Sequence, residues 1–296
     1  MPDNTQGLWQ SCGRENEVAI SLPHIRLGGR VWGEDDKPLL LALHGWLDNA
    51  NSFQPLSNYL KDYQLLAIDW PGHGASQHRP GAYPLHWIDY LYDLECLIEH
   101  ISRSRTLYGV IGHSLGGIVA SAYSAAFAQK VPNWILIEAL SPLFESSENS
   151  RQRLVRSFQS HSRQKPADAN RILMLDSAVK ARHKLTGLAS NWCELLIERN
   201  LTHTQVGLCW RSDPRLKLDS PMRLNFEHIK ALMQDHPARV LAVSADKGYR
   251  LLSHHQDEIS AWYRNLTLVQ LAGDHHLHMG NAAGVAAEIK KFLVGD

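Results

Sequence analysis

The chain has 296 residues, of which 44% are hydrophobic and 20% charged, a composition typical of a globular protein with a large core and not of a disordered one. Basic and acidic residues number 30 each, so we expect neither nucleic acid nor a membrane as a partner, because no overall field would attract them. The four scattered cysteines indicate reduced thiols, and no signal peptide or membrane-spanning run is predicted; these features favour a cytoplasmic protein.

The first half of the chain predicts strands that alternate with helices. The predicted strands cover residues 18–22, 25–33, 39–43, 64–69, 106–111 and 133–138. Helical spacing of apolar residues predicts helices over 51–61 and 84–102, and a small-residue helix follows residue 114. Continuous apolar runs such as 39–43 are typical of strands covered on both faces. We therefore predict an α/β fold with a mostly parallel central sheet flanked by helices.

The alternation stops near residue 141 and resumes near residue 238. Between these points, helical spacing is found over 172–185, 188–200 and 223–235. Strands are then predicted over 239–244 and 266–271, with helices over 254–265 and 282–294. We therefore expect a core domain of residues 1–140 and 238–296, with residues 141–237 as a helical cap inserted after the strand that ends near Glu138.

A Gly-x-Ser-x-Gly pattern at Gly112–Gly116 lies between a predicted strand and a predicted helix. This arrangement is typical of a nucleophile elbow, a sharp turn that exposes its central serine hydroxyl at the end of a sheet. The helix that follows directs its first N–H groups towards an oxyanion formed at the serine. Ser114 is therefore the predicted nucleophile, and a structural turn in an inactive relative is the alternative interpretation.

Four segments in this order resemble the α/β hydrolases: His44-Gly45-Trp46, residues 69–74, the Ser114 elbow and Gly273-Asp274-His275. Within that superfamily the chain most resembles the serine hydrolase-like proteins, through residues 43–50, 112–117 and 210–216. The resemblance implies an α/β-hydrolase fold from about residue 38 to the end. It also implies a Ser–acid–His catalytic triad in that chain order.

The resemblance assigns the catalytic base to His275, while His276 and His278 lie close enough in sequence to be alternatives. Two residues compete as the triad acid. Glu138 ends the strand after the elbow, where haloalkane dehalogenases and coelenterazine luciferases carry their acid. Asp246 ends the next strand, where most α/β hydrolases carry theirs, but it lies one residue early for the usual turn. Glu138 is narrowly preferred, and Asp246 remains open.

The oxyanion hole requires two backbone donors. One is expected from the N–H of Leu115, directly after the nucleophile, and the family match assigns the other to Trp46. No metal and no cofactor are expected, although His275, His276 and His278 allow a weak metal hypothesis. The role of Trp210-Arg211-Ser212-Asp213 stays open, because Arg211, Asp213 and Arg215 could hold an anionic substrate group or form internal ion pairs.

These residues favour a serine hydrolase that cleaves an ester, thioester or similar acyl bond of a small molecule through an acyl-enzyme intermediate. C–C hydrolysis and acyl transfer use the same triad and remain alternatives. A non-catalytic ligand- or partner-binding protein on a hydrolase scaffold is the alternative from another functional class. The natural substrate, its acyl length and the oligomeric state are not predicted by any feature of the sequence.

Overall fold

A large twisted sheet forms the centre of the molecule. The structure is a computed structural model that describes residues 8–13, 15–164, 174–205, 207–248 and 255–295. The strands are β1 (Gln10–Ser11), β2 (Glu17–Ser21), β3 (Arg26–Trp32), β4 (Leu39–Leu43), β5 (Gln64–Ile68), β6 (Leu107–His113), β7 (Trp134–Ile137), β8 (Leu201–Thr204), β9 (Gly207–Trp210), β10 (His236–Ala245) and β11 (Tyr263–Leu271). Over the described residues, nine of them form one sheet in the order β1-β2-β3-β5-β4-β6-β7-β10-β11.

The pairing within this sheet is mostly parallel. Strands β1, β2, β3 and β5 pair antiparallel at one edge, whereas the pairs from β5 through β4, β6, β7 and β10 to β11 are all parallel. The carboxyl ends of parallel strands meet at one edge of a sheet. The residues that follow β4, β6 and β7 are therefore brought together there.

Helices cover both faces of the sheet. They are α1 (Gln54–Ser57), α2 (Asp89–Ser102), α3 (Leu115–Ala126), α4 (Ser150–Ser162), α5 (Leu175–Thr186), α6 (Ser190–Asn200), α7 (Phe226–Met233), α8 (Gln256–Ser260), α9 (Leu277–Gly280) and α10 (Ala282–Val294). Apolar side chains of α2, α3 and α7 pack in one core cluster, and those of α1, α9 and α10 pack in a second. The sheet therefore lies between two helical layers, and the predicted fold class is confirmed.

The two-sided core explains the apolar runs. All five residues of β4 are fully buried, and alternate side chains of this strand enter opposite core clusters. Burial of one leucine side chain contributes about 1.5–3 kcal/mol. A polar residue at any of these positions would have to be hydrogen bonded inside one of the two cores, so the strand has no polar face.

Several predicted boundaries differ from the observed ones. Strand β4 and helix α10 have the predicted bounds, whereas the helix predicted over 84–102 begins only at Asp89. The helix predicted over 254–265 is wrong in extent: α8 ends at Ser260 and β11 begins at Tyr263, which pairs with His236. Residue 254 lies outside the described residues. A parallel partner from a distant strand overrides the local helical spacing there.

We call residues 141–235, which separate β7 from β10, the inserted segment. It contains α4 to α7 together with an antiparallel hairpin of β8 and β9. The hairpin was not predicted, because its two short strands show little alternation of polar and apolar residues. The start of the helix predicted over 172–185 lies outside the described residues, and α5 ends at Thr186. Among the described helices, none has the length and apolar content needed to cross a membrane.

Candidate active site

Ser114 lies in a strained turn between β6 and α3. Its backbone has φ 49° and ψ −113°, a conformation that non-glycine residues adopt only where the surroundings enforce it. A Cβ at Gly112 would lie 2.5 Å from the carbonyl oxygen of Gly116, and one at Gly116 would overlap the carbonyl oxygen of Leu43. The two glycines let α3 approach the strands this closely, and the Ser114 N–H donates to Ile137 O at 2.9 Å. The turn therefore holds the serine at the carboxyl edge of the sheet.

His275 contacts both Ser114 and Glu138. It lies in the loop between β11 and α9, with its Nε2 3.0 Å from Ser114 Oγ and its Nδ1 3.1 Å from Glu138 Oε2. An ionised carboxylate only accepts hydrogen bonds, so Nδ1–H is the donor towards Glu138. In this tautomer Nε2 carries the lone pair that accepts the serine proton. The three side chains thus form a continuous hydrogen-bonded chain from serine to carboxylate.

Glu138 is held in place by its backbone and by its second carboxylate oxygen. The residue has φ 53° and its N–H donates to Val243 O at 2.9 Å. Its Oε1 accepts the Ala245 N–H at 2.7 Å, which leaves Oε2 directed at His275. The side chain is nearly fully buried. Gly248 lies so close that a Cβ there would overlap the carboxylate. This carboxylate therefore has a fixed orientation.

Asp246, the alternative acid, has another partner. Its Oδ1 accepts the N–H of Gly273 at 2.8 Å, and its own N–H donates to Leu271 O at 2.9 Å. Within the described part of the chain, no hydrogen bond joins Asp246 to His275. The structure therefore brings Glu138 to the histidine, whereas Asp246 shapes the turn that precedes it.

The two predicted oxyanion donors belong to the loop after β4, which carries Trp46, and to the first turn of α3, which begins at Leu115. The Gly116 N–H donates to His44 O at 3.1 Å, which ties the first turn of α3 to the loop that carries Trp46. Among the described residues, the backbone N–H groups of Trp46 and Leu115 have no hydrogen-bond acceptor. The Trp46 indole Nε1 donates to Leu216 O of the inserted segment at 2.8 Å. Both N–H groups are thus available to an oxyanion at the elbow.

Two buried histidines support the loops around the site. His44 Nδ1 donates to Gly45 O at 2.7 Å, and its Nε2 accepts the Trp70 N–H at 2.9 Å. His73 Nδ1 lies 3.2 Å from Pro71 O, and its Nε2 accepts the Leu47 N–H at 3.2 Å. Burial lowers the pKa of His44 and lowers the pKa of His73 to about 3. Both rings are therefore neutral near pH 7, and each uses both nitrogens to hold backbone groups.

The other candidate histidines do not contact the nucleophile. His276 Nε2 lies 3.3 Å from Asp48 Oδ2. His278 is fully buried beside His113, and neither of its ring nitrogens has a hydrogen-bond partner among the described residues. In the part of the chain that the structure describes, no group of histidine, cysteine and carboxylate side chains has the arrangement of a metal site. Of the three histidines, the structure brings His275 alone to Ser114.

The Trp210–Asp213 stretch makes contacts within the protein. Asp213 pairs with Arg215 through Arg215 Nη2 at 2.7 Å, and the same guanidinium donates to Gly81 O at 2.8 Å. Arg211 Nε donates to Leu201 O at 2.8 Å, while Trp210 pairs with Leu201 in the hairpin. The Arg215–Gly81 contact ties the residues after the hairpin to another part of the chain, whereas the other contacts hold the hairpin and these residues together.

Known proteins resemble this chain in sequence and in fold. The family model of the α/β hydrolase fold matches residues 38–199. The chain belongs to the α/β hydrolase fold family. This hydrolase is 28% identical to a serine hydrolase-like protein of Danio rerio, over 94% of its own length and 88% of the relative's. A crystal structure of a hypothetical protein from Pseudomonas aeruginosa PAO1 is 30% identical, with a TM-score of 0.84 over 95% of this chain and 99% of that chain.

A shorter match concerns an enzyme with a named reaction. A pimeloyl-[acyl-carrier protein] methyl ester esterase of Shewanella sp. is 32% identical over 43% of the hydrolase and 42% of the relative. Family membership and these relatives support a hydrolase in general.

Sequence reasoning missed the polar residues directly after His44-Gly45-Trp46. Asp48, Asn49 and Asn51 are buried, and the two asparagine amides donate to the carbonyl oxygens of Leu196 and Leu195 on α6. A run of polar residues directly after a fully apolar strand was the available signal. Buried polar groups require partners, and here many of the partners lie in the inserted segment of the hydrolase.

Proposed function

We propose that the protein is a serine hydrolase that cleaves an ester, thioester or similarly activated acyl bond of a small molecule. The observation that carries the proposal is the hydrogen-bonded chain of Ser114, His275 and Glu138. Such a chain supplies what a serine hydroxyl lacks at neutral pH, namely a base within reach and an acid that orients the base. Ser114 is the nucleophile, His275 the base and Glu138 the acid of this proposal.

The reaction divides into acylation and deacylation. Ser114 Oγ attacks the substrate carbonyl carbon while its proton passes to His275 Nε2, and the carbonyl π electrons move to the oxygen. The N–H groups of Trp46 and Leu115 donate to this oxyanion, and loss of one such donor typically costs about 2.7–4 kcal/mol of barrier. The tetrahedral intermediate then expels the alcohol or thiol, which takes the proton from Nε2.

Deacylation repeats these steps with water as the nucleophile. His275 Nε2 accepts one proton of the water as its oxygen attacks the acyl carbon, and it returns that proton to Ser114 Oγ when the carboxylic acid leaves. Glu138 stays ionised throughout and stabilises the imidazolium that forms in each half-reaction. No metal or other cofactor is required by this scheme.

The ester-type substrate is supported by the methyl ester esterase relative, whose match covers less than half of each chain. We propose residues 141–237 as a cap over a core of residues 1–140 and 238–296, because Trp46, whose loop is bonded to the first turn of α3, donates from its indole to Leu216 of this segment. A cap of this kind would select the acyl group and exclude bulk water. A cytoplasmic location, without nucleic-acid or membrane partners, remains part of the proposal.

The first prediction concerns labelling of the nucleophile. A fluorophosphonate probe should modify the wild-type protein at Ser114, because the activated hydroxyl attacks phosphorus as it attacks an acyl carbon, and the Ser114→Ala variant should stay unlabelled. Peptide mapping by mass spectrometry locates the adduct, and p-nitrophenyl esters of increasing acyl length then define the preferred chain. A folded wild-type protein that stays unlabelled where a control esterase reacts would contradict the hydrolase and favour a non-catalytic binding protein.

A further inference from the structure

Asp48 is a buried carboxylate that faces the side chains of Arg182, His276 and His113. It is 1% exposed. Its Oδ1 pairs with Arg182 of α5, and its Oδ2 lies 3.3 Å from His276 Nε2 and 3.6 Å from His113 Nδ1. Burial by itself would raise the pKa of the Asp48 carboxyl, but the facing His276 and Arg182 hold that pKa well below its ordinary value. The group is therefore an anion at neutral pH.

The backbone of Asp48 closes the turn that presents Trp46. The Asp48 N–H donates to Gly45 O at 3.1 Å, so Trp46 and Leu47 are the two central residues of a four-residue turn. Leu47 has φ 60°, the positive φ that a type II turn requires at its third residue and that a leucine side chain disfavours. The turn therefore needs contacts from outside to hold its shape, and the orientation of the Trp46 N–H depends on that shape.

Arg182 and His73 supply those contacts. Arg182 pairs with Asp48 and also donates from Nη1 to Leu47 O at 3.2 Å. His73 accepts the Leu47 N–H. The peptide groups on both sides of Leu47 are thus bonded, and one guanidinium joins the backbone of the strained residue to the Asp48 side chain.

The side chain of Asp48 also reaches the loop that carries the base. His276, which contacts Asp48 Oδ2, is the residue directly after His275. His113, the second ring that faces this oxygen, has its Nε2 2.8 Å from His275 O. A carbonyl oxygen only accepts, so His113 Nε2–H is the donor. Asp48 therefore contacts His276, which directly follows the catalytic base, and lies beside His113, which binds the backbone carbonyl of that base.

We propose that Asp48 is a positioning residue that fixes the oxyanion donor Trp46 relative to the base His275, with Arg182 of the inserted segment as its counter-ion. The inference rests on the proposed function, because it assigns roles relative to an oxyanion and a base. Asp48 lies in the loop that carries Trp46, and its side chain contacts His276 in the loop of the base, more than two hundred residues later in the sequence. The inserted segment thereby contributes to the geometry of the reaction without touching the reacting atoms.

Replacement of the Asp48 carboxylate by an amide should impair turnover, because it removes one hydrogen-bond acceptor. In the Asp48→Asn variant the side chain keeps its size, but one acceptor oxygen becomes an NH₂ group, so either Arg182 or His276 meets a donor instead of an acceptor. The turn at Leu47 and the His276 backbone then lose their common support. Displacement of a donor or base by about 1 Å reduces turnover by up to about 100-fold.

The test compares Asp48→Asn with Asp93→Asn. Asp93 is an equally buried carboxylate, but its partners are His24 and Arg79 rather than either catalytic loop. Active sites are first titrated with the fluorophosphonate, so that kcat refers to folded, reactive protein. Ester hydrolysis and inhibition by a trifluoromethyl ketone, which forms a tetrahedral adduct with the serine, are then measured.

For Asp48→Asn we expect kcat per titrated site to fall by about 10- to 100-fold with KM changed by less than about 3-fold. The inhibition constant of the ketone should rise by a similar factor to the fall in kcat/KM, because the adduct places its oxygen on the oxyanion donors. Asp93→Asn should lower the Tm but leave kcat per titrated site and ketone binding at the wild-type values. A purely structural role of Asp48 would likewise reduce only the titrated fraction, and that result would overturn the inference.

A second variant covers the case in which Asp48→Asn does not fold. His276→Leu leaves the Asp48–Arg182 pair intact and removes the hydrogen-bond donor that links Asp48 to the base loop, so kcat per titrated site should fall by about 10-fold. Full kcat in His276→Leu would contradict the inference. Failure of the proposed function is distinguishable, because the wild-type protein itself would then remain unlabelled by the fluorophosphonate.

Discussion

Glu138 and Asp246 both end parallel strands, yet their side chains serve different groups. At Glu138 the positive φ turns the chain at the edge of the sheet, and the bond from its N–H to Val243 holds that turn. The carboxylate then lies between the Ala245 N–H and His275. Asp246 lies beyond the end of its strand, is exposed, and accepts the N–H of Gly273. At the scale of the residue, backbone direction decides which carboxylate reaches the base.

The prediction at this scale ranks the two acids. Glu138→Gln should lower kcat on a p-nitrophenyl ester by about 10²- to 10⁴-fold, because an amide cannot stabilise the imidazolium and can favour the wrong histidine tautomer. Asp246→Asn should lower kcat by less than about 10-fold, since its remaining carbonyl oxygen can still accept the Gly273 N–H. Both constants are measured at saturating ester and divided by the fluorophosphonate-titrated sites. The reverse ranking would assign the acid to Asp246.

At the scale of the elements, α6 anchors the inserted segment to the sheet through an arginine. Its Arg199 pairs with the fully buried Asp69, with Nη2 2.8 Å from Oδ2, and also with Glu17 of β2. Asp69 in turn accepts the N–H groups of Ala50 and Ala75. Burial alone would raise the pKa of Asp69, but Arg199 lowers it overall. The arginine therefore joins α6, the edge of the sheet and two loops at the carboxyl side of the strands.

Removal of this arginine should leave a buried charge without its partner. We expect Arg199→Met to reduce the free energy of unfolding by about 3–5 kcal/mol, as for other broken buried pairs. Lys130→Met is the matched control, because Lys130 pairs with Glu95 and Glu99 at the surface and such pairs contribute up to about 1 kcal/mol. Urea unfolding at pH 7 measures the free energy of unfolding of both variants and of the wild type. Equal losses in the two variants would show that Arg199 is not the anchor.

At the scale of the whole molecule, the buried histidines couple stability to pH. Burial is the first cause that lowers the pKa of His44, His73, His113, His236 and His278. The pKa of His113 and that of His236 fall to about 4. An unfolded histidine titrates near pH 6.5. The unfolded chain therefore binds more protons than the folded one between about pH 6.5 and pH 4.

Stability should consequently be full above about pH 6.5 and decline as the pH falls towards 4. The carboxylates with lowered pKa, such as Asp69, act in a separate window below about pH 4. For His236 alone the loss between pH 7 and pH 5 amounts to about 2 kcal/mol. Urea unfolding at pH 7, 6 and 5 should show this decline, and the free energy of unfolding should depend less steeply on pH in His236→Gln than in the wild type. Identical slopes in the two proteins would refute the role of His236.

Local pattern alone determined a large part of this protein. The fully apolar run of β4, the helix α10 and the glycines around Ser114 were predicted, because burial on two faces, helical periodicity and steric demand are properties of neighbouring residues. The position directly after the nucleophile predicted Leu115 as an oxyanion donor, and the resemblance added His275 and Trp46; the structure places all three around the same edge of the sheet. These features depend on sequence over short distances or on the order of motifs along the chain.

Only the tertiary structure decided which residues meet across the loops. Glu138 and Asp246 are equivalent as strand-end carboxylates in the sequence, and their separation depends on a backbone turn and on the hydrogen bond from Glu138 N–H to Val243 O. The contacts of Asp48 with Arg182 and His276 join three distant segments. Side-chain direction in a loop is set by partners through space, which no local periodicity encodes, and that is why these contacts became visible only in the folded molecule.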